Sequence, residues 1–417
     1  MAADAATNGP APGSESRRPW QGRRVVLGVA GGIAAYKAIQ LARDLTRHGA
    51  IVDTILTQSA RAFVGAISFE ALTGRPLPGD ILAEGQALLH IRLAREADVV
   101  CVAPATADLL ARAAAGRADD LLTAVLLATR APVVLCPAMN DAMWAHPQTA
   151  ANVAHLEKLG YRIAGPATGA LAHGEGEGPG RMLDPAMILE HVGRALSGPG
   201  PLRGRRVVVT AGPTREAIDP VRVLSNRSSG RMGYEIAAAA WRRGAIVHLI
   251  SGPAILPPPP EVRIESVETA DQMAKALEQA LPGADVLVMA AAVADFKPAS
   301  PRDRKLRRSE GLPAIPLEPA IDVLAATRAA RPHELVAVGF ALETGDGRAS
   351  ARRKLADKGL DMIVLNDATE AGSGFEVDTN HVILIDRNGN EEDVPLMRKS
   401  EVAEVLLDRI ESFLSER

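Results

Sequence analysis

The chain writes the same local pattern twice, and that doubling limits the folds open to it. RRVVLGVAGGIAAYK, from Arg23, reads as an apolar strand, a glycine turn and a helix, and RRVVVTAGPTRE, from Arg205, opens the same way. In the first helix Ala38, Leu41, Ala42 and Leu45 share one face and Lys37, Gln40, Asp44 and Arg47 the other. That is the spacing of an amphipathic helix. Further strands are expected at 51–56, 97–104 and 132–136 in the first half. The second half continues with strands at 246–251, 285–296, 334–344 and 361–367, and a final one at 381–386. Near-continuous apolar strands alternating with amphipathic helices indicate parallel sheets covered on both faces. The expected fold class is therefore α/β, with two Rossmann-like doubly wound domains and a ligand site at the carboxyl ends of each set of strands.

The glycine- and proline-rich stretch 196–202 is the expected linker between a domain at 21–195 and one at 203–417, and residues 1–20 read as a disordered leader. A length of 417 residues suits two domains of roughly 200 residues each. A net charge of −3 lacks the excess of Lys and Arg that nucleic acid or an anionic membrane would demand. No run is apolar enough to span a bilayer, and the start has no secretory apolar region. A cytoplasmic protein is expected, with Cys101 and Cys136 used as small hydrophobes in a reducing compartment. No metal site is expected from Cys or His spacing.

Four loops of the first half follow its strands, at Gly31-Gly32, Thr57-Gln58-Ser59, Ala103 to Thr106 and Pro137 to Asn140. Glycines let the backbone approach a phosphate at a helix N-terminus, and Ser59 and Thr106 offer hydroxyl donors. The pair Gly31-Gly32 is not the GxGxxG fingerprint, so composition alone fits ordinary turns equally well.

Taken together, GVAGGIAAYK, APATADLLARAAAGRADDLL, PAMN and the histidine of LLHIRLAREAD resemble the flavin-containing cysteine decarboxylases, more narrowly the phosphopantothenoylcysteine decarboxylases. The resemblance covers roughly Arg23 to Pro185. It implies a flavoprotein-type domain with FMN bound between subunits, a catalytic His90, and Asn140 orienting the substrate carboxylate. Met139 would pack against flavin or substrate. In isolation His90 reads only as an exposed histidine at a helix start. The chemistry needs such groups because a cysteine carboxylate has no electron sink. Oxidation at the carbon bearing sulfur creates one, and a histidine can take the thiol proton near neutral pH.

The family carries a flap cysteine in a pattern like ACGxxGxGRM, and the resemblance implies that this position protonates the decarboxylated enethiolate. Here the segment reads LAHGEGEGPGRM over 171–182, one residue longer, with His173 at the cysteine position. The proton donor is then His173, Glu175 or Glu177, with His173 first by position. All three also read as solvated loop residues.

The stretch 207–240, VVVTAGPTREAIDPVRVLSNRSSGRMGYEIAAAA, ends a strand in a Gly-Pro-Thr turn and places Ser228-Ser229-Gly230 before a helix. Hydroxyls and backbone N–H groups there make an anion pocket, with the nucleotide unspecified. This stretch, AAVADF, VGFALET and KLADKGLDMIVLND resemble the bacterial phosphopantothenate–cysteine ligases, over roughly Leu202 to Glu411. The resemblance implies that 4′-phosphopantothenate is activated by CTP with Mg2+ as an acyl-cytidylate, from which cysteine displaces CMP. It places the catalytic asparagine on Asn226, the arginine before it on Arg222, and a catalytic lysine on Lys305 of KLRR, where the family has KIKK. Phe340, Lys354 and Lys358 join the nucleotide contacts, the two lysines meeting phosphates or else forming a solvated basic face. Asp295 and Asn366, or the backbone of Ala291 and Ala292, would recognise base or ribose. The family's NPDI becomes AIDV at 320–323.

The expected protein thus ligates cysteine to phosphopantothenate and decarboxylates the product to phosphopantetheine. The alternative is an active ligase fused to a non-catalytic flavin-binding module. Homo-oligomers are implied, trimers by the first half and dimers by the second, which combine into a dodecamer.

Overall fold

Runs of Val, Leu and Ile too apolar for a solvated surface build the centre of each half. In the computed structural model, residues 19–79, 88–306, 314–374 and 377–417 are described. They divide into two compact units that meet in sequence at Gly198 and Pro199. The expected leader lies outside the described residues up to residue 18. Trp20 is buried and stacks on His48, with ring centroids 4.8 Å apart.

The first unit begins with β1 (Arg24–Val29), α1 (Ala35–Arg47), β2 (Ile51–Leu56), α2 (Ala66–Thr73) and α3 (Leu89–Glu96). It continues with β3 (Val99–Ala105), α4 (Ala107–Ala114), α5 (Leu121–Ala128), β4 (Val133–Pro137), α6 (Asp141–Ala145) and α7 (Pro147–Lys158). A short β5 (Arg162–Ile163), a hairpin of β6 (Ala167–Ala170) and β7 (Glu177–Arg181), and α8 (Pro185–Leu196) complete it. The sheet is parallel in the order β2-β1-β3-β4-β5. The α1 face expected from its spacing is the buried one: Ala38, Leu41, Ala42 and Leu45 are all at 0% exposure. Each fully buried Leu contributes about 1.5–3 kcal/mol, so this stripe fixes α1 on the sheet.

The second unit opens with β8 (Arg206–Ala211), a hairpin of β9 (Arg215–Ala217) and β10 (Val223–Ser225), and α9 (Arg231–Arg242). Next come β11 (Ile246–Ser251), β12 (Arg263–Ser266), α10 (Ala270–Ala280), β13 (Val286–Met289), β14 (Phe296–Pro298), β15 (Leu317–Pro319) and α11 (Val323–Ala326). The end is β16 (Val336–Glu343), α12 (Arg348–Lys358), β17 (Met362–Asp367), β18 (Thr379–Asp386), β19 (Glu391–Arg398) and α13 (Lys399–Glu416). The eight-stranded sheet runs β12-β11-β8-β13-β16-β17-β18-β19. Helices α9 and α13 pack on one face, while α10, α11 and α12 pack on the other.

Two expectations change here. The strand expected at 285–296 stops at Met289, because the buried hydroxyls of Thr210 and Thr214 capture the N–H groups of Ala291 and Ala294 (3.2 and 2.9 Å). The segment at 381–386 is not the last strand. It pairs antiparallel with β17 and with β19, whose sequence EEDVPLMR carries too many charges to read as a strand without its edge position. Among the described residues no helix is long and apolar enough to cross a membrane.

Candidate functional site

In the second unit the parallel strands β8, β13, β16 and β17 end beneath a cavity of about 620 Å3. Asn226, Ala291, Ala292, Asp295, Phe340, Lys354, Lys358 and Asn366 all line it. These eight span 141 positions of the chain, and the sheet topology brings them to one place. The loop after β13 is held by the Thr210 and Thr214 hydroxyls and by the Ala292 N–H, which donates to the Gly212 carbonyl (2.9 Å). Asn226 braces the same loop: its Nδ2 donates to the carbonyls of Ala292 and Val293, each at 3.1 Å. Both amide hydrogens are therefore engaged, and Oδ1 is the atom left for a ligand.

Lys354 Nζ donates to the Phe340 carbonyl (3.1 Å). Lys358 pairs with Asp322, whose Oδ1 caps α11 by accepting from the Ala325 N–H (3.0 Å). Burial alone would raise the Asp322 carboxyl. The Lys358 ammonium, the Ala325 N–H and Lys354 outweigh it and hold the group below the usual carboxylate range. The cavity also takes in Arg231, Asn380 and Lys399, which sequence reasoning passed over. The available signal was a cation at the first position of each of two helices, the wrong sign for a helix dipole.

Arg222 and Lys305 stand together but are not among the lining residues of this cavity. Arg222 donates to Asp219 (2.6 Å) and to the Leu306 carbonyl (3.1 Å), tying the turn between β9 and β10 to the segment that carries the exposed Lys305. Asp219, at 2% exposure, also accepts the N–H groups of Val221, Arg222 and Leu306. Burial opposes ionisation there. Those backbone N–H groups and the Arg222 guanidinium win, bringing its pKa to about 2.

In the first unit the strand order reverses between β1 and β3, and Gly31-Gly32 and Thr106 follow those two strands. A switch of this kind leaves a crevice at the strand ends, where a mononucleotide phosphate meets helix N-termini. Gly31 is needed for a close approach: a Cβ there would lie 2.4 Å from the Cβ of Ser59. Thr106 caps α4, its Oγ1 accepting the Leu109 N–H (3.3 Å), which leaves its hydroxyl hydrogen to donate elsewhere. The Ala138 N–H donates to the Ala105 carbonyl (3.1 Å), so the Pro137–Asn140 loop adjoins the Thr106 loop. Asn140 caps α6 through Oδ1 (2.8 Å to the Ala142 N–H), leaving its Nδ2 as donor, and half-buried Met139 packs on the core.

His90 is the second residue of α3, which descends to the start of β3, so His90 stands at the end where the strands finish. It is half-buried rather than exposed, and its buried Nδ1 has no hydrogen-bond partner. His173 is exposed in the turn between β6 and β7. The stem of that hairpin rests on the Pro137–Asn140 loop: the Met139 N–H donates to the Gly180 carbonyl (3.0 Å), and a Cβ at Gly180 would fall 2.2 Å from the Met139 oxygen. Cys101 and Cys136 are free and at 0% exposure, burial and the neighbouring Cys101 raising the Cys136 thiol. Among the described residues no group of three or more His, Cys, Asp or Glu side chains is placed to hold a metal.

Residues 13–197 match the family described as Flavoprotein, and residues 202–414 match the DNA/pantothenate metabolism flavoprotein C-terminal domain. The chain is 47% identical over 410 residues to the coenzyme A biosynthesis bifunctional protein CoaBC of Mycobacterium tuberculosis (strain ATCC 25618 / H37Rv), covering 94% of this chain and 97% of that one. The protein of the same name from Escherichia coli (strain K12) is 42% identical over 394 residues, 93% and 97% of the two chains. A crystal structure of the C-terminal domain of a CoaBC protein aligns at 38% identity and a TM-score of 0.45, covering 52% of this chain and 100% of that one. The chain belongs to the family of bifunctional coenzyme A biosynthesis proteins, a flavoprotein domain and a DNA/pantothenate metabolism C-terminal domain in one polypeptide.

Proposed function

We infer that the second unit joins cysteine to 4′-phosphopantothenate at the expense of CTP, and that the first decarboxylates the product to 4′-phosphopantetheine. The observation that carries the ligase half is the single cavity lined by Asn226, Asp295, Asn366, Lys354 and Lys358. Mass spectrometry of the protein supplied with phosphopantothenate, cysteine, CTP, Mg2+ and FMN tests both halves at once. Phosphopantetheine is the expected product, and no CTP-dependent adduct at all would overturn the reading.

In the ligase step a phosphopantothenate carboxylate oxygen bonds to the α-phosphorus of CTP and pyrophosphate departs. Lys354 and Lys358 neutralise the growing phosphate charge. CTP enters as its Mg2+ complex in this reading. The cysteine nitrogen then bonds to the acyl carbon and CMP leaves. With the Asn226 donors engaged, its Oδ1 accepts a hydrogen of the incoming amine and aims the lone pair. Asp295, Asn366 and the Ala291–Ala292 backbone hold base and ribose.

In the first unit Gly31, Gly32, Ser59 and Thr106 fit the phosphate and ribitol of FMN: a glycine turn packed close against Ser59, hydroxyls and a helix N-terminus at a switch point. Bound there, FMN supplies a two-electron acceptor that afterwards returns the electrons. His90 takes the substrate thiol proton, and its uncommitted Nδ1 suits that role. Asn140 holds the carboxylate by its free Nδ2 until carbon dioxide leaves. His173 delivers a proton to the carbon that lost it.

Exposed Ile33, Tyr36, Phe63, Ile67, Leu88 and Met143 lie in the chain close to these loops or to His90, apolar surface that supports a flavin site completed by another subunit. Exposed Val221, Val223, Phe296 and Leu317 on the two hairpins of the second unit support pairing there. Arg222 and Lys305, beside that patch, would then serve the partner's cavity. Trimers through the first unit and dimers through the second give a dodecamer, and a monomer in sedimentation would remove both composite sites. The cytoplasm is the proposed compartment, in keeping with two free, buried cysteines. The exposed turn position of His173 favours, as a second reading, a first unit that binds flavin without completing the reaction.

A further inference from the structure

The cavity of the second unit carries cations on both faces of its sheet. Lys354 and Lys358 approach from α12 on one face. From the other, α9 and α13 begin beside it, with Arg231 and Lys399 as their first residues. Lys399 is only 4% exposed. Its Nζ donates to the carbonyls of Gly374 (2.9 Å) and Val377 (2.7 Å), and it makes no ion pair with a carboxylate among the described residues. Asp378, the nearest candidate, pairs with Arg231 (2.7 Å).

Two physical terms act against a lysine in this position. A buried ammonium is unfavourable without compensating charge, and a cation at a helix N-terminus opposes the dipole. Burial and the neighbouring Arg231 both push its pKa down. Two carbonyls take two of its three hydrogens, and the third remains on a side chain that lines the cavity. Ser228 and Ser229 stand at the same end, accepting the N–H groups of Gly230 (3.2 Å) and Arg231 (3.4 Å) and keeping their own hydroxyl hydrogens.

We propose that Lys399 and Arg231 form a second phosphate subsite, facing the α12 lysines across the strand ends and binding a phosphate of a ligase substrate. The inference rests on the ligase reading. A phosphate supplies a countercharge and accepts from the ammonium, the guanidinium and the serine hydroxyls together. Two substrates of that reaction carry phosphate, the ester of phosphopantothenate and the triphosphate of CTP, and the cation groups are likewise two.

The test measures binding of phosphopantothenate against pantothenate, and of CTP against CMP, to the full chain and to Lys399→Met and Arg231→Gln. In both variants one preference for the more phosphorylated ligand should fall by about tenfold or more, the size of one charge-assisted contact. Loss in the first pair assigns the subsite to the 4′-phosphate, and loss in the second assigns it to the triphosphate. Arg231→Gln alters a partly exposed side chain, so a folding defect in Lys399→Met leaves the test intact. Wild-type protein that discriminates, with variants that discriminate equally or weaken both members of each pair alike, overturns the subsite alone. Wild-type protein that binds none of the four overturns the ligase reading and the subsite together.

Discussion

The Asn226 amide nitrogen and the Ala292 carbonyl oxygen are 3.1 Å apart, and the Val293 carbonyl takes the second amide hydrogen at the same distance. Since a carbonyl can only accept, the amide has one orientation and its oxygen faces the cavity. Asn226→Asp replaces both donors with charge beside two carbonyls and incoming carboxylate and phosphate. Ligation should fall by about 100-fold or more, as for loss of a preorganised polar group. Adduct yield per CTP consumed, followed by mass spectrometry, checks this.

Lys354 and Lys358 should differ in weight. Asp322 already neutralises Lys358, whereas Lys354 donates to the Phe340 carbonyl and makes no ion pair among the described residues. Lys354→Gln is expected to raise the KM for CTP by about tenfold, near 1.4 kcal/mol, and Lys358→Gln by less. Steady-state pyrophosphate release with CTP varied separates the two.

His90→Asn should abolish reduction of bound flavin by phosphopantothenoylcysteine and leave ligation intact. His173→Gln should act later, accumulating a decarboxylated species two hydrogens short of phosphopantetheine. Anaerobic flavin spectra and product masses read the two effects. Flavin reduced normally in His90→Asn would remove the role given to His90, and flavin that substrate fails to reduce even in the unaltered protein would favour the second reading of the first unit.

Gly31→Ala forces a Cβ to within 2.4 Å of Ser59. The Ser59 loop must shift, backbone included, so FMN retention should drop by about tenfold or more and the melting temperature should fall with it. Flavin absorbance of the purified variant, with ligase activity as the control, tests this.

Two carboxylate-linked ties predict opposite pH trends. The Asp219 pKa is lowered to about 2, so its contribution is complete above the unfolded carboxylate range and is lost as pH falls through about 2. Asp219→Asn should therefore lower the melting temperature at neutral pH and converge with wild type in strong acid. His381 lies between Glu370 (2.7 Å) and Asp393 (2.9 Å). Burial would lower it, but the hydrogen bonds to these carboxylates raise it above an ordinary histidine. Its contribution is present below the unfolded pKa and lost as pH rises through the raised one, so His381→Gln should destabilise at pH 6 more than at pH 9.

Periodicity made the parallel strands and α1 legible, because burial on both faces demands unbroken apolar runs. β2 and β11 fall on their expected residues. The end of β13 was not legible, since it depends on Thr210 and Thr214, some eighty positions away. Nor was β19, whose charges suit an edge and nothing else. Lys399 escaped because its meaning comes from α9 and β18 beside it, not from its neighbours in sequence. Arg222 and Lys305 were singled out by motif, yet the tie from Arg222 through Asp219 to Leu306, outside the cavity, joins residues more than eighty positions apart.

The burial of Cys101 and Cys136 bears on how the protein tolerates its own chemistry. They are the chain's only cysteines, both at 0% exposure, and the flap carries His173 where the resembling pattern has a thiol. Cysteine, phosphopantothenoylcysteine and phosphopantetheine are all thiols, and each forms disulfides in the presence of oxygen. A protein with no accessible thiol gives those disulfides no partner for exchange, so it cannot be capped by its own substrate or product during oxidative stress.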